Sequence, residues 1–332
     1  AQRSWLVRKQ FGYRQLFLIT GVITFFLSSV ADNLTAALLV GAVVMAVGAD
    51  NEKFVSIGFV NLVIAANAGG AFCPFGDITT LMVWQAEYAE FFDFFKLFIP
   101  SVANYGIPAA IMYWAVPNEQ PQATSEEAVQ LKPGALIICF MFLCTIGAAV
   151  SFKQVLHLPP FMGMMTGLSA LMLFGYYLKM QAHKAGDHDG FNIFNKIMHA
   201  EWDTLLFFFG VVFAVGGLGY IGYLELLSNG IYNGLGPTTA NILVGLISAI
   251  VDNIPVMFAV LNMGVDMDLY QWLLVTLTAG VGGSLLSVGS AAGVALMGQS
   301  NHKYTFFSHL KWTPAIAAGY AGSIFVHYLI NG

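Results

Sequence analysis

The sequence contains 332 residues, of which 58% are hydrophobic and 9% are charged. A soluble domain carries about 25% Asp, Glu, Lys and Arg, so this chain has too few charges to cover a water-facing surface. The net charge is −5, and the sequence has no basic stripe. Nucleic acid is therefore not indicated as a partner. These values predict an integral membrane protein in contact with a lipid bilayer.

The first third of the chain holds two long apolar stretches that polar or Gly/Pro residues interrupt midway. One, residues 17–47, is interrupted at Asp32, and the other, residues 54–83, is interrupted across residues 67–77. Interrupted backbone at membrane depth persists only where protein or a water-filled cavity supplies its hydrogen bonds. Both interruptions are therefore candidate sites.

The rest of the chain contains uninterrupted apolar stretches of about 20 residues, the length that crosses a bilayer. They are residues 97–116, 134–150, 159–178, 203–220 and 313–330. A polar loop at residues 117–133 separates the first two. A longer one at residues 179–201 precedes residue 203, and we expect it on the cytoplasmic side.

Two further interrupted stretches lie in the last third, and they match the first two. Residues 242–261 are interrupted at Asp252-Asn253, and residues 269–297 across residues 280–293. Ser28 lies four residues before Asp32, and a serine likewise lies four residues before Asp252. The later interruption in each copy carries a Gly-Gly pair. We interpret this as an internal duplication.

Charged residues indicate how the two copies are oriented. Basic residues flank the first Asp-Asn element, whereas acidic residues flank the second. Under the positive-inside rule, the first is entered from the cytoplasm and the second from the opposite face. This predicts an all-α polytopic protein with inverted repeats at residues 1–116 and 134–332, an architecture of many secondary transporters. Because three spanning helices precede the second element and almost nothing precedes the first, we expect the N-terminal helices of the first repeat to be missing.

Three carboxylates at membrane depth, Asp32, Asp77 and Asp252, are the central candidates. Each costs about 2.5–3.5 kcal/mol on insertion scales, and such residues are functional by default. A dehydrated sodium ion needs several oxygen ligands, which carboxylate, amide, hydroxyl and carbonyl groups supply together. The polar neighbours that offer such oxygens are Ser28, Asn33, Thr35, Asn67, Thr79 and Thr80 in the first copy and Ser248, Asn253, Ser287 and Ser290 in the second.

The carboxylates also provide a mechanism of coupling. Desolvation raises the pKa of a buried carboxyl group, whereas a bound cation lowers it, so an Asp that holds either a proton or sodium exchanges one for the other. We expect Asp32 and Asp252 to act as a coupled pair. Asp77 has an alternative interpretation as the cap of a half-helix. Asp203, at the start of an apolar helix, has the same alternative.

Four motifs resemble the NhaD-type sodium/proton antiporters of the ion transporter superfamily, which also includes arsenite, citrate and dicarboxylate carriers. They are SSVADNLT (residues 28–35), NAGGAFCPFGDITTLMVW (67–84), EWDTLLFFFG (201–210) and SAIVDNIPVMFA (248–259). The resemblance implies that each inverted repeat has a re-entrant helical hairpin and a helix unwound at mid-membrane. It also implies a multi-pass protein of the inner membrane that exchanges cytoplasmic Na⁺ or Li⁺ for external H⁺, needs no cofactor and can form a homodimer.

The same resemblance implies which residues form the ion site. Sodium would bind at Asp32, Asn33, Asp77, Asp252 and Asn253. The serines, threonines and Asn67 named above would surround it, and Asp203 would be a further functional acid. Because the family begins with additional helices, we expect this chain to be a fragment of a longer protein.

Two other functions are compatible with parts of the sequence. A carrier of an anion such as dicarboxylate or arsenite would use the same scaffold, but it would present neutral polar groups and helix N-termini to its substrate instead of paired Asp residues. An intramembrane enzyme would have to explain the Gly76-Asp77 and Gly289-Ser290 fragments. Neither fragment has an evident catalytic partner, and catalysis does not account for the duplication.

Overall fold

A computed structural model describes residues 11–121, 134–184, 198 and 202–332. In the first half of the chain the helices are α1 (Tyr13–Ala31), α2 (Asn33–Val47), α3 (Glu52–Gly70), α4 (Ile78–Gln85), α5 (Phe98–Tyr113), α6 (Ala135–Gln154) and α7 (Pro160–Lys184). In the second half they are α8 (Trp202–Tyr220), α9 (Tyr223–Ser228), α10 (Pro237–Ser248), α11 (Asn253–Asn262), α12 (Leu269–Gly282), α13 (Ala291–Gln299), α14 (Phe306–Leu310) and α15 (Thr313–Asn331). These described segments contain no β-strand.

Six helices among the described residues are long and apolar enough to cross a bilayer. A seventh span results if Leu205–Tyr220 and Tyr223–Asn233, which are bent by 79°, count as one. The prediction of an all-α polytopic membrane protein is confirmed.

The chain divides into two compact units, residues 129–210 and the rest. In the smaller unit, α6 packs on α7 where Gly163 lies against the backbone of Ala149. Large apolar side chains such as Phe140 and Leu173 remain exposed, as expected for helices that face lipid. The division into repeats at residues 1–116 and 134–332 remains a prediction. The compact units cut across it, because the broken helices of both copies pack in the larger unit.

Two helices, α3 and α12, lie at the centre of the larger unit. Every residue of α12 from Trp272 to Gly282 is buried, and α3 is buried along almost its whole length. Hydrophobic burial alone does not explain this inside a bilayer, where packing and interhelical hydrogen bonds hold helices together. The central position of both helices brings their unwound C-terminal ends into the interior.

Contacts between helix termini define two opposite ends of this unit. At the Lys303 end, the Lys303 ammonium donates to the Ala49 carbonyl over 2.5 Å, and the Tyr13 amide donates to the Glu119 carbonyl over 3.0 Å. At the Lys96 end, the Asn331 amide donates to the Lys96 carbonyl over 3.2 Å.

The α1–α2 pair forms a hairpin that opens toward the Lys303 end. The Tyr13 ring at the start of α1 lies 4.4 Å from the Phe54 ring, just after α2. The chain therefore reverses at Asp32. The α10–α11 pair likewise starts beside α12, because Gln271 donates to the Thr238 hydroxyl over 2.8 Å. The chain after α11 returns to α10, because the Asn241 amide donates to the Met267 sulfur over 3.6 Å.

The two unwound helices run in opposite directions between the ends. The pair α3–α4 starts near Ala49 and finishes near Tyr88, whose ring stacks on Trp272 with centroids 3.8 Å apart. The pair α12–α13 starts near Trp272 and finishes before Lys303. This arrangement supports inverted repeats, although their inversion across a membrane remains a prediction.

One boundary differs from the sequence prediction. Helix α7 continues to Lys184, so the predicted loop at residues 179–201 starts in helix. Its remaining residues, apart from Met198, lie outside the described part of the chain, as do residues 122–133 of the predicted loop at 117–133.

Candidate cation site

The first interruption is a sharp reversal at Asp32. Its backbone has φ 63° and ψ 150°, a conformation that costs a non-glycine residue of order 1–3 kcal/mol and persists only where the surroundings enforce it. The Asp32 carboxylate caps α2, accepting from the amides of Leu34 and Thr35 over 3.3 Å each and from the Thr35 hydroxyl over 3.0 Å. The strained residue thereby directs Asn33 into the interior.

The second interruption ends at Asp77, which caps α4. Its Oδ1 accepts from the Thr79 amide over 2.9 Å and from the Thr79 hydroxyl over 3.0 Å. The Thr80 hydroxyl donates to the Cys73 carbonyl over 3.0 Å and so supports the unwound segment. Asp77 is 3% exposed. The capping interpretation of Asp77 therefore holds, but it uses only one of the two carboxylate oxygens.

The other oxygen of Asp77 is the point where the two copies meet. Oδ2 accepts from the Asn33 amide over 3.0 Å and from the Asn253 amide over 2.9 Å. Asn67 extends the contact, because its oxygen accepts from Asn33 over 3.2 Å and its nitrogen donates to the Ser290 hydroxyl over 3.1 Å. We call Asn33, Asn67, Asp77, Asn253 and Ser290 the central network.

The second copy approaches this network with its own capped half-helices. Asp252 Oδ1 accepts from the Asn253 amide over 3.0 Å, and Ser290 caps α13 by accepting from the Gly293 amide over 3.3 Å. Asp252 and Asp32 are both partly exposed. Both are also near enough to Asp77 to interact with its charge. Three carboxylates therefore bias the electrostatic potential of the site in favour of cations.

Paired serines and glycines hold the same positions in the two copies. Ser28 donates to the Ala66 carbonyl over 2.6 Å, and Ser248 donates to the Ala279 carbonyl over 2.8 Å. Their hydroxyls therefore join each hairpin to the adjacent unwound helix. Glycine is required at the equivalent crossings, since a Cβ at Gly69 or Gly282 would come within 2.0 or 2.1 Å of a carbonyl oxygen on the hairpin.

The structure thus brings together a subset of the predicted site residues. Asn33, Asn67, Asp77, Thr79, Asn253 and Ser290 are joined by direct side-chain hydrogen bonds. The Thr35 hydroxyl donates to Asp32, while Thr80, Ser28 and Ser248 bond to backbone carbonyls. Ser287 is fully buried, and its hydroxyl has no hydrogen-bond partner among the described residues. Asp203 lies in α8, and its side chain is outside the described part of the structure.

The donor set suits a monovalent cation better than a transition metal. No group of three or more His, Cys, Asp or Glu side chains in the described segments is arranged to hold a metal ion. The network instead offers carboxylate, amide and hydroxyl oxygens, which are the ligands of hard cations. Two buried residues that sequence reasoning missed, Tyr304 and His309, lie behind the second unwound segment. A single His in a short polar connection carries no recognisable pattern.

Comparison with known proteins places this arrangement in context. A family model described as a citrate transporter matches residues 2–280. The Na(+)/H(+) antiporter NhaD of Alkalimonas amylolytica is 54% identical over 351 aligned positions, which cover 100% of this chain and 72% of that protein. The Na(+)/H(+) antiporter NhaD of Vibrio cholerae is 54% identical over 351 positions, covering 100% and 73%. Sodium/proton antiporter 2 of Arabidopsis thaliana is 31% identical over 338 positions, covering 95% and 77%.

Proposed function

Because this chain belongs to the citrate transporter family and, within it, to the NhaD-type antiporters, we propose that it exchanges sodium ions for protons at the central network. It is a multi-pass membrane transporter and not an enzyme. The observation that carries the proposed site is the position of Asp77, a buried carboxylate with ligands from both copies of the duplication.

Asp77 has the properties that mutually exclusive binding requires. A carboxylate in a low-dielectric interior is costly unless a proton, a cation or hydrogen bonds neutralise it. In this structure, the amides of Asn33 and Asn253 and the backbone and hydroxyl of Thr79 stabilise the charge. A proton or a sodium ion competes for the same oxygens, so occupancy by one excludes the other.

The two asparagines allow the site to change from proton to cation chemistry. Each side-chain amide carries donors on one atom and an acceptor on the other. With the nitrogen facing Asp77, the amide stabilises the empty carboxylate. Rotation of the Asn33 or Asn253 amide presents its oxygen instead, as a ligand for the cation that Asp77 attracts. Asp32 and Asp252 keep their capping bonds and contribute charge.

The charge pattern indicates the orientation in the membrane, and the ion gradients set the direction of exchange. The Lys303 end carries the basic residues expected on the cytoplasmic side of an inner membrane, and sodium or lithium would leave the cytoplasm while protons enter. The exposed apolar side chains of α6 and α7 support direct contact with lipid. A homodimer is compatible with this function, and no described contact argues for or against it.

The alternative of an anion carrier on the same scaffold is not favoured. Four relatives that are 52–55% identical to this chain are named Na(+)/H(+) antiporters, even though the matching family model is named for citrate. The carboxylates of Asp32, Asp77 and Asp252 would also repel a carboxylate substrate.

The test is exchange by purified protein in proteoliposomes with an acidic interior and a pH-sensitive dye. Sodium or lithium chloride should dissipate the pH gradient, whereas potassium chloride and potassium citrate should not. Asp77→Asn should abolish the response. The matched control is Asp93→Asn, because Asp93 forms an exposed pair with Lys96 over 2.8 Å, away from the network. An unchanged gradient with every cation would refute the antiporter, and dissipation by citrate would favour the anion carrier.

A further inference from the structure

The second unwound segment, between α12 and α13, is supported by side chains of α14 and α15. The His309 ring nitrogen Nε2 lies 2.8 Å from the Ser284 carbonyl oxygen, and the Thr313 hydroxyl donates to the Leu285 carbonyl over 2.8 Å. In the first copy, the hydroxyl of Thr80 supports the corresponding segment. Aligned through the Gly-Gly pairs, the residue equivalent to Thr80 is Gly293, which has no hydroxyl to offer.

The bonding partners of His309 determine its tautomer. A carbonyl oxygen only accepts, so Nε2 carries the hydrogen that bonds to Ser284. Nδ1 is then the acceptor for the Tyr304 hydroxyl at 2.7 Å. Both side chains are almost completely buried, and the Tyr304 ring packs edge-on against Phe59 of α3, with centroids 5.7 Å apart. Every polar atom of the imidazole is therefore used in one fixed orientation.

This histidine lies outside the spanning helices and remains neutral at physiological pH. Burial lowers the pKa of His309 to about 4. The ionisable group in contact with it is Tyr304, and the bond from the Tyr304 hydroxyl to Nδ1 requires the unprotonated nitrogen. His309 is accordingly fitted to hold a position and not to sense pH.

Hydrogen bonds and the backbone of the unwound segment together connect His309 to the carboxylate. His309 fixes Ser284 at the start of the unwound segment, and Ser290 at its end accepts from Asn67. Asn67 in turn accepts from Asn33, which donates to Asp77. Building on the proposed function, we propose that Tyr304 and His309 are positioning residues for the cation site, which fix the second unwound segment so that Ser290 holds Asn67 in place.

The proposal predicts weaker sodium binding when the pair is disrupted. His309→Gln retains an N–H donor but removes the fixed acceptor for Tyr304, and Tyr304→Phe retains the ring but removes the hydroxyl. Loss of one such hydrogen bond corresponds to about a 2- to 12-fold change, and we expect the sodium concentration for half-maximal exchange to rise within this range in each variant. The double variant should be no weaker than the weaker single variant, because both act through one contact.

His327 provides a matched control. It is also a buried histidine whose Nε2 meets a backbone carbonyl, that of Tyr270 at 3.2 Å, but it lies on α15 toward the Lys96 end. His327→Gln should therefore change thermal stability to a similar degree without changing sodium half-saturation. When sodium is supplied at the same multiple of each variant's half-saturation concentration, the pH midpoint of exchange should stay where it is in all of these variants.

The measurements are radioactive sodium binding to purified protein in detergent and dye-reported exchange in proteoliposomes, each with thermal unfolding as a control. Equal sodium affinity in His309→Gln, His327→Gln and the unmodified protein would overturn the inference. A shifted pH midpoint at unchanged sodium affinity would also overturn it, by making His309 a titrating group. Absence of sodium-driven exchange in the unmodified protein would refute the proposed function instead.

Discussion

The two unwound segments share one backbone arrangement but carry different chemistry. The first has an amide at Asn67, a carboxylate at Asp77 and a hydroxyl at Thr79, whereas the aligned positions in the second are Gly280, Ser290 and Ala292. Both segments end at a capped half-helix. An interrupted helix therefore exposes backbone groups to an ion in both copies. The side chains of one copy alone decide where the negative charge lies.

The largest difference between the copies should appear at the aligned caps Asp77 and Ser290. At 4 Å and an effective dielectric constant of 20, a unit charge contributes about 4 kcal/mol, so Asp77→Asn should reduce sodium affinity by roughly 1000-fold. Ser290→Ala removes two neutral hydrogen bonds, of which only the one from Asn67 belongs to the central network, and should lower sodium affinity by about 2- to 12-fold. Sodium binding to purified protein measures both. Equal losses would show that the copies share the charge-dependent step.

Substitutions at Gly69 and Gly282, where each unwound helix crosses a hairpin, should destabilise the protein equally, because the two copies have the same geometry there. Gly69→Ala and Gly282→Ala each force a Cβ against a hairpin carbonyl, and overpacking of this kind costs about 3 kcal/mol or more. Thermal unfolding in detergent should show a similar, large loss for both. Gly106→Ala is the control, since no atom lies within 4 Å of its added Cβ. A tolerated substitution at only one crossing would contradict the equivalence.

The two asparagines on Asp77 are expected to be nearly interchangeable. Hydrogen bonds to a charged group contribute about 1.5–3 kcal/mol, so Asn33→Ala and Asn253→Ala should each raise the sodium half-saturation by about 10- to 150-fold. Asn33 should show the larger effect because it also bonds to Asn67. The exposed Asn262, changed to Ala, serves as the control. If only one asparagine mattered, the site would belong to a single copy.

The smallest effects are expected at the paired serines. Ser28→Ala and Ser248→Ala each remove one bond to a helix carbonyl, and each should lower the free energy of unfolding by about 0.5–1.5 kcal/mol. Sodium half-saturation should stay unchanged in both. A loss of sodium affinity in Ser28→Ala alone would make this serine a ligand and sharpen the asymmetry between the copies.

The sequence predicts the broken helices well because their signal is local. An Asp-Asn pair or a Gly-Gly pair inside an apolar stretch is visible without any tertiary contact. In the structure, α1 ends just before Asp32, and α2 and α11 begin directly after Asp32 and Asp252. The polar residues beside these interruptions supplied the other candidate ligands, and their role in ion binding stays a prediction.

The part that could not be predicted depends on contacts between distant residues. Sequence reasoning paired Asp32 with Asp252, whereas the structure makes Asp77 the residue on which both copies converge, through an Asn253 that lies 176 positions away. Spacing cannot reveal which of three similar carboxylates becomes fully buried. Tyr304 and His309 were missed for the same reason, since their contacts exist only after α14 packs behind the unwound segment.

The bonds from Asn253 to Asp77 and from Asn67 to Ser290 have a consequence for energy conservation. An exchanger that reorients with nothing bound becomes a leak, because sodium then returns down its gradient without moving a proton. Each bond joins one copy to the other, so movement of one copy relative to the other must break both. In the empty carrier, breaking the Asn253–Asp77 bond leaves a charged carboxylate with one donor fewer. A bound proton or sodium ion neutralises that carboxylate and weakens its hold on the amides. The empty carrier is thereby the slowest form to turn over, and slippage is suppressed at the same atoms that bind the cargo.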